Sequence, residues 1–225
     1  MISISLPVKM PWIVKKLYPH YLWDKKAESA GKKLLYLTFD DGPIPEITPW
    51  VLQTLADYNA KASFFMIGDN IRKHPDIFKA VVTAGHTIGN HTYHHLKGSK
   101  TDRIEYIANV QKTQEELIKA LRTIGRKKIN LDSKPCYFRP PYGKLTRKQA
   151  RHLQKDYTIV LYDVLAYDWE EKINSAQCKE NILKNTESGS IILMHDSIKA
   201  SKNLKAFLPE VLAHFTALGY SFEAL

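Results

Sequence analysis

Cysteine is nearly absent from this chain. Cys136 and Cys178 are the only two in 225 residues, too few for a disulfide framework or a thiolate metal site, so any metal must be held by histidine and carboxylate. Long apolar runs are missing too, since none approaches the roughly 18–20 residues that span a bilayer. The N-terminus, MISISLPVKMPWIVKK, lacks a basic leading segment and a long apolar stretch, and Pro7 and Pro11 interrupt it. A secretory signal is therefore not indicated, and a cytoplasmic location is expected. No internal repeat, low-complexity tract or interdomain linker is visible. Acidic residues are in deficit, 23 against 33 basic ones, giving a formal charge of +10. That balance suits an anionic partner, but no nucleic-acid motif accompanies it and nucleic acid is not expected. With 44% apolar and 25% charged residues, the chain fits one globular domain with a sizeable core, expected to be a monomer.

Much of the positive charge sits at the start. Residues 1–33 carry Lys9, Lys15, Lys16, Lys25, Lys26, Lys32 and Lys33 against Asp24 and Glu28, interleaved with Trp12, Tyr18, Tyr21 and Trp23. Two readings fit this N-terminal arm. It can touch an anionic membrane surface or polymer, or it can pack on the domain with its lysines in water. The second is expected, because no clean helical pattern is visible.

From residue 34 onwards strands and helices alternate. LLYLTFDDGP, 34–43, reads as a buried strand ending in two carboxylates and a forced turn at Gly42-Pro43. Thr48 caps a helix with Pro49 at its first position, and 61–67 is a second strand. Pro75 opens a helix that Gly85 ends, and 86–89 is a short strand. A long amphipathic helix over 102–124 turns Ile104, Ile107, Leu117 and Leu121 inward, and 126–134 is a basic loop. Short strands at 136–138, 157–162 and 190–194, helices at 146–155, 175–185 and 204–218, and a closing strand at 220–222 complete the pattern. Such alternation argues for a parallel sheet or barrel of βα units, whose sites lie at the C-terminal ends of strands.

Polar residues that can do chemistry fall at those ends. Asp40 and Asp41 close the first strand, which alone fits a solvated turn as well as a site. His91 and His95 are four apart in HTYHH; on a helical turn they share a face and can grip one cation, with His94 pointing elsewhere as a structural residue. A strand-end aspartate would complete a two-histidine, one-carboxylate set with open positions. Arg139, stiffened by Pro140 and Pro141, is either a surface arginine or the partner of a carboxylate. His195, after SIILM, is either a core histidine or a proton donor.

TFDDG at 38–42, HTYHH at 91–95, RPPYG at 139–143, YDW at 167–169 and LMHD at 193–196 occur in order. Together they resemble the polysaccharide deacetylase family, the NodB-homology domain of family-4 carbohydrate esterases. The resemblance implies a deformed (β/α) barrel over 34–225, preceded by the arm. It also implies hydrolysis of N-acetyl groups from amino sugars of peptidoglycan, a chitin-like oligomer or a surface glycan. By motif position Asp41, His91 and His95 would bind one divalent metal, zinc first, with cobalt, nickel or manganese as alternatives. Asp40 would be the base, Arg139 its tether and His195 the acid. The Tyr142 backbone N–H would serve the oxyanion, and Pro140, Tyr142, Trp169 and Leu193 would line the substrate site.

One position departs from the family pattern. The fourth motif ordinarily reads D-x-x-D-W, its first aspartate oriented towards the acid histidine, and here Leu165 stands in that place. The expectation is a less basic His195, with Asp163, two residues earlier on the same strand face, as a substitute partner. Two rival functions follow: a saccharide-binding module without turnover, and a related hydrolase of a non-sugar amide.

Overall fold

The computed structural model describes residues 6–125 and 136–225; the expected loop at 126–134 lies outside them. The elements in order are α1 (Trp12–Leu17), β1 (Leu34–Asp40), α2 (Thr48–Ala56), β2 (Ala62–Met66), α3 (Gly68–Lys73), α4 (Pro75–Thr83) and β3 (Thr87–Asn90). There follow α5 (Arg103–Thr123), β4 (Cys136–Phe138), α6 (Arg147–Leu153), β5 (Tyr157–Ile159), β6 (Val164–Leu165), α7 (Ser175–Asn185), β7 (Ile191–His195), α8 (Ser201–Ala217) and β8 (Ser221–Phe222). The strands are parallel in the order β5-β4-β3-β2-β1-β7-β6, with β8 added to β1. The result is the deformed (β/α) barrel.

Strand periodicity decides what faces the interior. In β1, Leu35, Leu37 and Phe39 join the core cluster that packs against the helices, together with Val51, Phe78 and Phe207. The alternate residues Tyr36, Thr38 and Asp40 therefore face the barrel interior, where Tyr36 packs with Phe65, Val160 and Ile191. Each fully buried Leu or Phe of the outer layer contributes on the order of 1.5–3 kcal/mol. That layer fixes the register which leaves Asp40 pointing inward. β1 and β7 pair so that Asp40 stands beside His195.

β5 and β6, at the two ends of the strand order, are bridged by the N-terminal arm. Leu22 exchanges backbone hydrogen bonds with Ile159 and Leu161, each 2.8 Å, while Val8 and Met10 bond Leu165 and Asp163 beside β6. The arm packs on the domain as expected, but not all of its lysines are in water: Lys16, Lys32 and Lys33 are exposed, while others turn to carboxylates. Lys9 and Lys15 both reach the fully buried carboxylate of Asp163, the former at 2.7 Å, and Lys15 also pairs with Asp24. A buried carboxylate needs such partners, and the chain supplies them from the arm.

Local rules explain most boundaries. Asp102 accepts from the Ile104 N–H to start α5, and capping boxes at Thr146–Gln149 and Asn174–Gln177 start α6 and α7. Three expectations fail. Thr48 does not cap α2, because its hydroxyl is spent on the Asp196 carboxylate and the Ile44 N–H. Ile104, in the first turn of α5, is 73% exposed. The strand expected at 157–162 stops at Ile159, beyond which Leu161 pairs with the arm.

Candidate active site

All ten residues named from the sequence line one cleft of about 480 Å³ at the C-terminal ends of the strands. The fold brings them together, although one local premise does not hold. His91 and His95 lie on no helical turn. His91 follows β3, and Thr92 and His95 have φ of 64° and 55°. The loop is built by amide side chains instead: Asn90 accepts from the Thr92 N–H, and Asn109 accepts from the N–H groups of Tyr93 and His94. His94 stays exposed against Asn109 and takes no part in the cluster.

Asp41, His91 and His95 each turn one ligand atom to a common point, all within 4.8 Å of one another. Asp41 Oδ1 lies 3.7 Å from His91 Nε2 and 3.4 Å from His95 Nε2. Ligand bonds of about 2.0–2.1 Å in a tetrahedral set place neighbouring donors about 3.4 Å apart, close to that spacing. Asp41 Oδ1 is buried and accepts no hydrogen bond among the described residues, an orphan that a cation would satisfy. The His91 Nδ1 is 2.8 Å from the Arg139 carbonyl, so Nδ1–H donates and Nε2 keeps its lone pair for a metal. Burial, then the nearby His95, holds the His91 pKa well below 6.5. The donor set fits a divalent metal.

Asp41 is aimed by backbone geometry. Its φ is 85°, its N–H bonds the Phe65 carbonyl and its own carbonyl accepts from Asn70 at 2.7 Å. The next residue must be glycine, since a Cβ at Gly42 would stand 2.1 Å from Asp196 Oδ2. Asp196 Oδ1 accepts the Gly42 N–H at 3.0 Å, fixing the turn. Burial, reinforced by Asp41, pushes the Asp196 carboxyl up to about 8 against the bonds from Thr48 and Gly42. Asp41, Thr92, His95, Tyr142 and Tyr167 are all non-glycine residues at positive φ, backbone strain gathered around one cleft.

Asp40 and Arg139 form a buried pair. The guanidinium donates from one nitrogen to Asp40 Oδ1 and Thr38 Oγ1, both 2.8 Å, and from the other to the Leu161 carbonyl at 2.8 Å. It also stacks 4.1 Å from the Phe65 ring. A buried charge so satisfied is a fixed counter-ion for Asp40. Asp40 Oδ2 remains, 3.8 Å from His91 Nε2.

The residue that sequence reasoning missed is Asp168. Its Oδ1 accepts from His195 Nδ1 at 2.9 Å and its Oδ2 from the His195 N–H at 2.6 Å. Burial works against the imidazolium, but Asp168, followed by Asp41 and Asp40, prevails and raises the His195 pKa to about 9. His195 is thus more basic than an ordinary histidine, not less. Asp163 is no substitute partner, being committed to Lys9, Lys15 and Ser190. Trp169 packs edge-on to His195 at 4.5 Å, and Tyr142 sits 4.8 Å from the His95 ring. Leu165, Leu193 and Pro140 complete the apolar side of the cleft.

Comparison with known proteins agrees with this arrangement. Residues 27–160 match the polysaccharide deacetylase family profile. A peptidoglycan-N-acetylglucosamine deacetylase of Bacillus cereus is 36% identical over 187 residues, covering 83% of this chain and 62% of that protein. The chain thus spans less than two thirds of that relative's length. A chitooligosaccharide deacetylase of Azorhizobium caulinodans is 36% identical over 172 residues, 75% of this chain and 76% of its own. A crystal structure of a peptidoglycan N-acetylglucosamine deacetylase superposes with a TM-score of 0.81 at 30% identity, covering 96% of this chain and 95% of that one. On sequence, fold and motif order alike, the chain belongs to the polysaccharide deacetylase family.

Proposed function

We propose that this protein is a metal-dependent hydrolase that removes N-acetyl groups from amino sugars of a poly- or oligosaccharide and releases acetate. The observation that carries the reading is the presence of two charge-partnered groups in one cleft beside the Asp41–His91–His95 cluster. Asp40 Oδ1 accepts from the Arg139 guanidinium, and the Asp168 carboxylate holds His195 as an imidazolium. A binder needs neither. One relative is named for the N-acetylglucosamine of peptidoglycan and another for chitooligosaccharides, which supports an N-acetylated amino sugar in a peptidoglycan, chitin-like or surface glycan.

Asp41, His91 and His95 would hold the ion, for which two imidazoles and one carboxylate suit zinc. When bound, the metal supplies Lewis-acid polarisation of the amide carbonyl and a more acidic water. The chain supplies the rest. Asp40 Oδ1 is tied to Arg139, so Oδ2 is the atom that takes the proton of the attacking water. His195 donates Nδ1–H to Asp168 and delivers its Nε2 proton to the departing amine as the C–N bond breaks. The Tyr142 backbone N–H, at a φ of 60°, serves the carbonyl oxygen as its charge develops, a contribution of about 3 kcal/mol per donor. Trp169 and Leu193 hold the acetyl methyl, with Pro140 and Tyr142 at the sugar side.

The rival binding-module reading drew on Leu165, and Asp168 now fills the role that position was thought to have lost. The test is acetate release from N-acetylglucosamine oligomers and peptidoglycan with added Zn²⁺ or Co²⁺, and with chelator. Chelator-sensitive acetate is expected. No acetate from any saccharide, despite one bound metal per chain, would overturn the reading.

A further inference from the structure

One element of the fold is inside out. α1 contributes no buried residue, yet its sequence is WIVKKL. At 100° per residue, Trp12, Lys16, Ile13 and Leu17 share an arc of about 140°, with Lys15 on the opposite side. The apolar arc faces solvent: Trp12 is 70%, Ile13 53% and Leu17 69% exposed. Lys15 instead turns into the protein, onto Asp163 and Asp24. Among the described residues, five of the nine exposed large hydrophobic ones, Leu6, Trp12, Ile13, Leu17 and Tyr18, fall within residues 6–18. An ordinary surface helix makes the reverse choice. Here ion pairs rather than apolar burial seat the helix, leaving its apolar face for something else.

We infer that this face docks on the surface of an anionic lipid bilayer. Three observations choose that occupant. The face has interfacial chemistry: a tryptophan, a tyrosine and a lysine whose Nζ lies 5.8 Å over the Trp12 ring, free to reach headgroups while its stem lies on apolar surface. Its surroundings are cationic. The cavity of about 380 Å³ that α1 shares with the cleft wall has Lys144 in its lining and no acidic residue. Among the described residues neither Lys16 nor Lys144 pairs with an acid, in a chain of net charge +10. Finally, the face is small. It comprises a handful of side chains, well short of the roughly 20–30 residues a side of a stable protein interface.

No helix among the described residues is long and apolar enough to cross a membrane, so α1 lies on the bilayer and binds reversibly. The cavity it shares runs from Val14 and Tyr18 to Pro140, and Leu6 lines both it and the cleft. This inference does not depend on the deacetylase reading.

The test is sedimentation of the full chain with phosphatidylcholine vesicles and with vesicles also holding about 30 mol% phosphatidylglycerol. Wild type is expected to bind only the anionic vesicles. The triple change Trp12→Ser, Ile13→Ser, Leu17→Ser should weaken binding at least tenfold, and Lys16→Glu or about 0.5 M salt severalfold. These residues are exposed, so an unchanged thermal melt verifies the fold of each variant. Absence of binding by wild type, equal binding to both vesicles, or unchanged binding by the triple variant overturns the inference. So does a dimer in sedimentation equilibrium that the triple variant dissolves, since the occupant is then a second copy.

Discussion

At the scale of single residues, the site divides into a proton acceptor and a proton donor, each held by a charged partner. Asp40→Asn keeps the hydrogen-bond acceptor for Arg139 and leaves Asp41, His91 and His95 untouched. It is expected to retain metal while losing roughly 10²–10⁴-fold in kcat, checked by metal analysis alongside turnover. Asp168→Asn acts through His195. The wild-type imidazole carries its proton up to about pH 9, so activity should fall above that pH. In the variant that falling limb should move towards the ordinary value of 6.5, seen in the pH profile of kcat/KM and in an NMR titration of the ring. The same pairing stabilises the fold fully below 6.5, and its contribution fades as pH rises through about 9. The site residues were legible because each ends a strand or opens the loop after it. The partner of His195 was not, since Leu165 drew the argument to a position two residues from Asp163 while Asp168 stood unremarked beside Trp169. The available signal was the aspartate of YDW at 167–169, the second one of the D-x-x-D-W pattern. The convergence of His91 and His95 was foreseen on a helical spacing that the chain does not use. Asn90 and Asn109, distant in sequence from each other, do that work, and no local pattern announces them.

Individual elements were readable where hydrophobic period and caps agree. The helices α4, α5, α6 and α7 and every strand but the two-residue β6 were marked by those signals. α3 was missed because GDNIRK buries only Gly68 and Ile71, too little for a visible stripe. The arm was misjudged for a different reason: its lysines answer a buried charge some 150 residues away in the chain, which periodicity cannot reveal. Burial alone would lift the Asp163 pKa, but Lys15, Lys9 and Ser190 outweigh it and keep it below 3.8. The stability this contributes is present above that value and is lost as pH falls through the lower, folded one. Asp163→Ala should cost about 2–4 kcal/mol in urea denaturation, towards the low side of a broken buried pair because both lysines can swing into water. It should also expose the segment before β1 to protease.

For the whole molecule, binding of a cation to Asp41, His91 and His95 joins residues from β1 and the loop after β3, so occupancy should stiffen the barrel as a unit. At a metal concentration a thousandfold above Kd the gain is about 4 kcal/mol, or roughly 8–16 °C in Tm for a chain of this size. Calorimetry with zinc and with chelator measures it, and His91→Ala should abolish the difference. The arm that bridges β5 and β6 bears on how such a barrel comes into being. Its first backbone partners, around Asp163 and Leu165, leave the ribosome long after Val8 and Met10 do. The arm thus cannot find its place until partners some 150 residues further along the chain exist. Until then Met10 and Trp23, buried in the finished protein, travel without a core, and closing the barrel carries the loop-entropy cost of contacts far apart in sequence. Closure of the barrel by the arm therefore waits on chain that lies some 150 residues further along.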